Sequence, residues 1–316
     1  MRTSIALILS AGLLATLSAC ASTSSGLVDG DCTPLAQPGS ASETITATGD
    51  PGAATLDFAT PLIAKRTERT VLTAGTGPAA EVGDVIWGKA VLASGTDTAT
   101  AQQTPFMITL DKTVTPPGFT DALACARAGD RIAAVIPGAE ATADAAQAPA
   151  GNSADAYVFD ITSVYPGAAT GAAEPAKAGF PSVVTAPDGR PGVTIPSGTV
   201  PTDLRYTTLK KGSGAKVIEG DVLVVQSLGI VWADKSVFAS TWDDGMAKQI
   251  LATDITADEN GVVPGLVKAL VGQTVGSQVL VVVPPSDGFG DSGTTGVPAG
   301  STLVYVVDIL GANPAA

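Results

Sequence analysis

The residue types that usually carry out catalysis are thin in this chain. Its 316 residues include no histidine, which removes the usual general base, the usual partner of a serine nucleophile and the commonest zinc ligand. The three cysteines, Cys20, Cys32 and Cys125, lie too far apart for a metal-binding spacing. Asp243-Asp244-Gly245 and Asp287-Gly288 lack the pattern of a calcium loop and read as turns. The pairs Gly75/Gly77 and Gly212/Gly214 lack the third glycine and the following helix of a phosphate loop, and read as strand turns. A formal net charge of −13 without a basic run excludes nucleic acid as a partner. No metal or cofactor is expected, and any chemistry must run without a histidine proton shuttle.

The elements that would position such a site are short strands and turns. Hydrophobic residues make up 45% of the chain and aromatic ones 4%, beside 36 Gly and 22 Pro, a mixture that favours strands over long helices. The length suggests about two domains at roughly 150 residues each, and the sequence repeats accordingly. Leu72–Val85 parallels Leu209–Val222 at an offset of 137, both holding Leu-x-x-Gly-x-Gly and then Gly-Asp-Val. Pro117–Pro137 parallels Pro264–Pro284 at 147, and YVFDI at Tyr157–Ile161 parallels YVVDI at Tyr305–Ile309 at 148. The second unit therefore carries about ten extra residues after its Gly-Asp strand. Val-rich runs predict strands, and one short helix per unit is predicted, near Phe119–Cys125 and Leu266–Val271. An α+β fold follows, with the helix lying across one sheet face. Pro166–Gly179 reads as an Ala/Gly/Pro linker with little to bury.

The N-terminus reads as an address. Arg2, the apolar run Ile5–Leu17 and small residues before Cys20 form a segment too short to span a membrane. Leu17-Ser18-Ala19-Cys20 resembles the lipobox of bacterial lipoproteins. That resemblance implies a lipidated Cys20 as the first residue of the mature protein; the alternative is an ordinary signal peptide with a chance cysteine. Export would leave Cys32 and Cys125 as the remaining thiols, either bridged as a disulfide or free and buried.

Five blocks of the second unit occur in the order typical of FKBP-type peptidyl-prolyl cis–trans isomerases, which this unit resembles. They are Gly-Asp-Val at 220–222, SVFASTWDDG at 236–245, VVPGLVKALVGQTVGS at 262–277, VVVPPSDGFGDSG at 281–293 and VPAGSTLVYVVDIL at 297–310. The first unit matches fewer blocks and joins through the internal repeat. The resemblance implies two FKBP-like domains, each a twisted antiparallel sheet wrapped on one short helix. Residues 1–19 are then a signal peptide, 20–42 a lipid-anchored tether, 43–165 a degenerate domain, 166–179 the linker and 180–312 the isomerase domain.

Carried across position by position, the resemblance places a proline pocket in the second domain. Phe238, Val263, Leu266, Phe289 and Tyr305 are its catalytic walls, with Val262, Val297, Ala239 and Trp242 as further substrate contacts. Several positions depart from the family pattern: Ala239 replaces the pocket Asp, Ser227 the first-strand Tyr, Leu266 the floor Trp and Phe289 the flap Tyr. Lys248 stands where an aromatic is usual. The first unit keeps aromatics at Phe106 and Phe119, but EATADAAQAPAGNSAD (Glu140–Asp155) replaces its flap. The chain has 14 aromatics, so the competing reading of Phe238, Phe289 and Tyr305 is plain β-fold core.

The resemblance implies a monomeric isomerase of reduced activity, a folding helper for proline-containing exported polypeptides, held at the outer face of the cell membrane through lipid on Cys20. The rival readings are a non-catalytic peptide-binding chaperone or adaptor lipoprotein and, more weakly, a small-molecule-binding lipoprotein.

Overall fold

The structure, a computed structural model, describes residues 32–144, 153–258 and 260–314. The expected leader and the lipid-bearing Cys20 lie outside the described residues.

In the first unit a hairpin of β1 (Thr46–Thr48) and β2 (Thr55–Asp57) precedes β3 (Glu68–Thr73), β4 (Val85–Ser94) and β5 (Asp97–Thr109). Helix α1 (Pro117–Leu123), β6 (Arg131–Pro137) and β7 (Ala154–Tyr165) follow. The main sheet is antiparallel with the order β3-β6-β7-β4-β5. The second unit opens with β8 (Ala172–Ala173) and a hairpin of β9 (Ser182–Thr185) and β10 (Pro191–Thr194). It continues with β11 (Arg205–Lys211), β12 (Val222–Val231), β13 (Val237–Ser240), α2 (Thr241–Asp244) and β14 (Lys248–Leu251). Helix α3 (Pro264–Leu270), β15 (Gln278–Val283) and β16 (Leu303–Asn313) complete it. Its sheet order is β8-β11-β15-β16-β12, with β13 and β14 both on the free edge of β12. The core strand order is thus the same in both units.

The Val-rich strands bury both faces because each face has its own cover. Alternate residues point to opposite sides: Val279, Val281, Leu303, Tyr305 and Val307 pack under Leu266 and Leu270 of α3. Leu280, Val282, Val304 and Val306 pack under Val183, Val193 and Ile195 of the β9–β10 region. The first unit repeats this, with α1 on one face and Ile45, Leu56 and Phe58 on the other. The α+β expectation holds, and the structure adds the hairpin behind each sheet.

The repeat extends to irregularities. Bulges fall between Val71 and Thr73 and between Thr208 and Lys210, and again at Trp87/Gly88 and Val224/Val225, each pair 137 residues apart. The ten extra residues of the second unit divide in two. Seven residues separate Ser240 from Lys248 where two separate Gln103 from Phe106 in equivalent registers, an excess of five that includes α2. The other five lie between β14 and α3.

Three expectations need correction. Both helices start two residues earlier than predicted, because a proline with its fixed φ is pre-organised for the first helical turn. Cys125 falls outside α1 with φ 64°, a left-handed conformation that ends it. The bridged reading of Cys32 and Cys125 holds, with Cα atoms 5.6 Å apart; what changes is the tether, which is docked from Cys32 onward, with Glu68 Oε2 accepting the N–H groups of Ala41 at 2.9 Å and Ser42 at 3.0 Å. The linker buries Ala169, whose N–H donates to Asp308 at 2.8 Å, and supplies β8 to the sheet edge. A buried carboxylate needs such donors, and Asp308 takes its other one from Gln278 Nε2 at 2.8 Å. The two units meet in an apolar cluster of Val85, Met107 and Tyr165 with Val224, Ala247 and Leu310.

Candidate functional site

Phe238 owes its position to a local irregularity. On β13, Val237 pairs with Ile230 and Ala239 with Gly229, so Phe238 is an extra, bulged residue on this edge strand. Its ring lies over Gly229, where an added Cβ would come within 2.6 Å of Phe238 Cζ. Gly229 is also the register partner of Tyr305 on β16. The absent side chain leaves the slot in which Phe238 meets Tyr305, edge to face, with centroids 5.6 Å apart and planes at 89°.

Helix α3 forms the next wall. Gly265 lets it settle on β15, since a Cβ there would stand 2.7 Å from Val283 Cγ1. Close seating brings Val263 and Leu266 into the cluster that holds Val281, Val297, Leu303 and Tyr305, with Phe238, Val262 and Phe289 packed against it. Phe289 follows a short turn at Pro285–Asp287, which the Lys268–Asp287 ion pair ties to α3. The inner members are nearly closed to solvent: Val263 is 3% exposed, Leu266 6%, Val297 4% and Tyr305 8%. Phe238, Val262 and Phe289 are half-buried and form the accessible rim.

The structure therefore gathers Phe238, Val262, Val263, Leu266, Phe289, Val297 and Tyr305. Ala239 sits exposed beside Phe238, and Trp242 joins a different group. Trp242 belongs to α2 and packs with Leu228, Ile230 and Trp232 on the opposite sheet face; the five-residue excursion carries it across the edge. There it lines a cleft of about 380 Å³ between the units with Asp188 and Arg190. Arg190 donates to its carbonyl at 2.7 Å. Lys248 is exposed and paired with Asp244 at 2.6 Å. Gly229, Val281 and Leu303 belong to the site and escaped sequence reasoning.

Chemically the site is an apolar cluster with a half-buried rim of Phe238, Val262 and Phe289. Tyr305 is the single cluster member with a side-chain heteroatom, and burial pushes its phenol above the ordinary range, so it stays protonated. The half-buried apolar rim can contact a compact apolar group.

The corresponding face of the first unit carries a larger aromatic group. Leu92 pairs with Tyr157 where Gly229 pairs with Tyr305. Phe119, equivalent to Leu266, stands edge-on to Tyr157 at 5.2 Å and to Phe159 at 6.3 Å. Tyr157 stacks on Phe159 at 5.6 Å, and Phe106 closes the group at 5.4 Å from Phe159.

Residues 214–310 match the family model for the FKBP-type peptidyl-prolyl cis-trans isomerase. A probable FK506-binding protein of Corynebacterium glutamicum is 28% identical over 123 residues, which is 39% of this chain and 98% of that protein. The FKBP-type peptidyl-prolyl cis-trans isomerase FkpA of Escherichia coli is 29% identical over 117 residues, 37% of this chain and 40% of that protein. The crystal structure of that Escherichia coli protein superposes with a TM-score of 0.32 and 26% identity, covering 42% of this chain and 53% of the other. Residues 214–310, which hold every member of the apolar cluster named above, are similar to the FKBP-type peptidyl-prolyl cis–trans isomerases.

Proposed function

We propose that the chain accelerates cis–trans isomerisation of X–Pro bonds in exported polypeptides, with the apolar cluster of the second unit as the proline site. The observation carrying this reading is the convergence of Phe238, Val263, Leu266, Phe289 and Tyr305 in one apolar cluster. The barrier to rotation, about 18–20 kcal/mol, comes from amide resonance. Twisting the bond abolishes that resonance and leaves a less dipolar carbonyl, which a dry recess favours over the planar amide. No bond forms and no proton moves, so the missing histidine is no obstacle.

The activity is reduced. Ala239 has no carboxylate and Phe289 no hydroxyl to hold the substrate backbone, and each absent hydrogen bond lowers the rate about tenfold. Leu266 offers the proline ring less contact than an aromatic floor. The first unit, with Leu92 and Phe119 at the equivalent positions, serves as a structural copy. Lipid on Cys20 would hold the protein, as a monomer, at the outer face of the membrane.

The test is a prolyl-tetrapeptide isomerisation assay on the full chain. Acceleration that falls in Phe238→Ala supports the reading. Binding of the peptide at the uncatalysed rate would identify the alternative, a surface chaperone or adaptor that uses the same cluster. No binding and no acceleration would refute both.

A further inference from the structure

We propose that the Tyr305 hydroxyl is the hydrogen-bond donor of this cluster and that its acceptor is the proline ring nitrogen in the twisted state. The inference rests on the proline-site reading above. Tyr305 is more than nine-tenths buried, and its hydroxyl makes no hydrogen bond to any described residue. It is also absent from the fully enclosed polar atoms without a partner, which are Arg69 Nε, Thr109 Oγ1, Asp121 Oδ1, Thr207 Oγ1 and Trp242 Nε1. The hydroxyl is thus not fully enclosed. A donor at the edge of an apolar cluster remains available to an acceptor supplied from outside.

The orientation is fixed rather than adaptable. The ring sits on the central strand β16 between Gly229 and Val281 and is braced edge-on by Phe238. Around it the cluster holds Val, Leu, Ile, Ala and Phe side chains. The phenol remains an O–H donor because burial disfavours its ionised form.

The choice of acceptor follows from the chemistry of the amide. A donor to the carbonyl oxygen of the X–Pro bond would strengthen the resonance form with a C=N double bond and slow rotation. The ring nitrogen behaves oppositely: its lone pair is delocalised in the planar amide and becomes an acceptor once the bond is twisted. A hydrogen bond made only then stabilises the transition state without tightening ground-state binding. No atom is transferred; the proton stays on the Tyr305 oxygen throughout.

The experiment compares the full-length protein with its Tyr305→Phe variant by exchange NMR on a prolyl tetrapeptide, reading kcat and KM separately alongside the melting temperature. The expected result is a kcat lower by about tenfold, KM within twofold, and a melting temperature equal to or above that of the parent. An unchanged kcat, or a rise in KM at constant kcat, overturns the inference while leaving the proline site standing. Parent protein that binds the peptide without accelerating exchange also overturns it, because no twisted state is then being stabilised. Parent protein that neither binds nor accelerates removes the proline-site reading itself.

Discussion

The ring of Phe238 stands perpendicular to that of Tyr305 across the vacant side of Gly229, with centroids 5.6 Å apart. Such edge-to-face pairs contribute about 0.5–1.5 kcal/mol beyond the area they bury. Phe238→Ala should cost about 2 kcal/mol in all, since the side chain is half-buried and a full core Phe deletion costs about 3–5 kcal/mol. Urea titration would read this loss, and calorimetry should show prolyl-peptide affinity down at least tenfold. Wild-type affinity in the variant would mean that peptides do not use this rim.

Gly229 admits the ring because it has no side chain. Gly229→Leu, which copies Leu92 of the first unit, should evict Phe238 and abolish peptide binding while far-UV circular dichroism stays that of a folded β protein. Retained binding in that variant would show that the slot is not needed.

The disulfide between Cys32 and Cys125 closes a separation of 93 residues. By chain entropy such a bridge is worth about 4–5 kcal/mol. Paired Cys32→Ser and Cys125→Ser substitutions should therefore destabilise the first unit by several kcal/mol in urea. The second unit, tested through its peptide binding, should respond much less. An equal loss in both would mean that the two units unfold as one.

Asp84 supplies a pH-dependent term. Burial raises its carboxyl to about 6 even though it accepts N–H groups from Glu81 and Gly167. A folded-state value above the unfolded value of roughly 3.9 means that the native state binds the extra proton. The stabilising contribution is present below about pH 4 and is lost as pH rises through about 6. Unfolding free energy of the wild type minus that of Asp84→Asn should fall across this window and level off above it. A flat or rising difference would contradict the assignment.

Much of this architecture was legible because the repeat is written in residues with strict backbone or packing duties. Gly-Asp-Val, Pro-Gly and Tyr-Val-x-Asp-Ile mark the same turns, helix starts and central strands in both halves. The hairpins behind the sheets were not legible. Thr46–Asp57 and Ser182–Thr194 lie 136 residues apart, yet they share little more than a turn and a few apolar residues, which many sequences could satisfy. Trp242 was misplaced for a related reason. Four residues after Phe238 it is near in sequence, but the face of an edge strand reverses wherever a bulge or extra turn intervenes, and no propensity reports that. The role of Gly229 was hidden because a glycine in a strand pattern does not reveal what occupies its missing side chain's place.

The Cys32–Cys125 bridge has a mechanical corollary. Twelve residues lead from Cys20 to Cys32, a leash of at most about 40 Å when fully drawn out. If Cys20 carries acyl chains, a pull from the bilayer would enter the first unit at the end of α1 and bypass the β1–β2 ribbon.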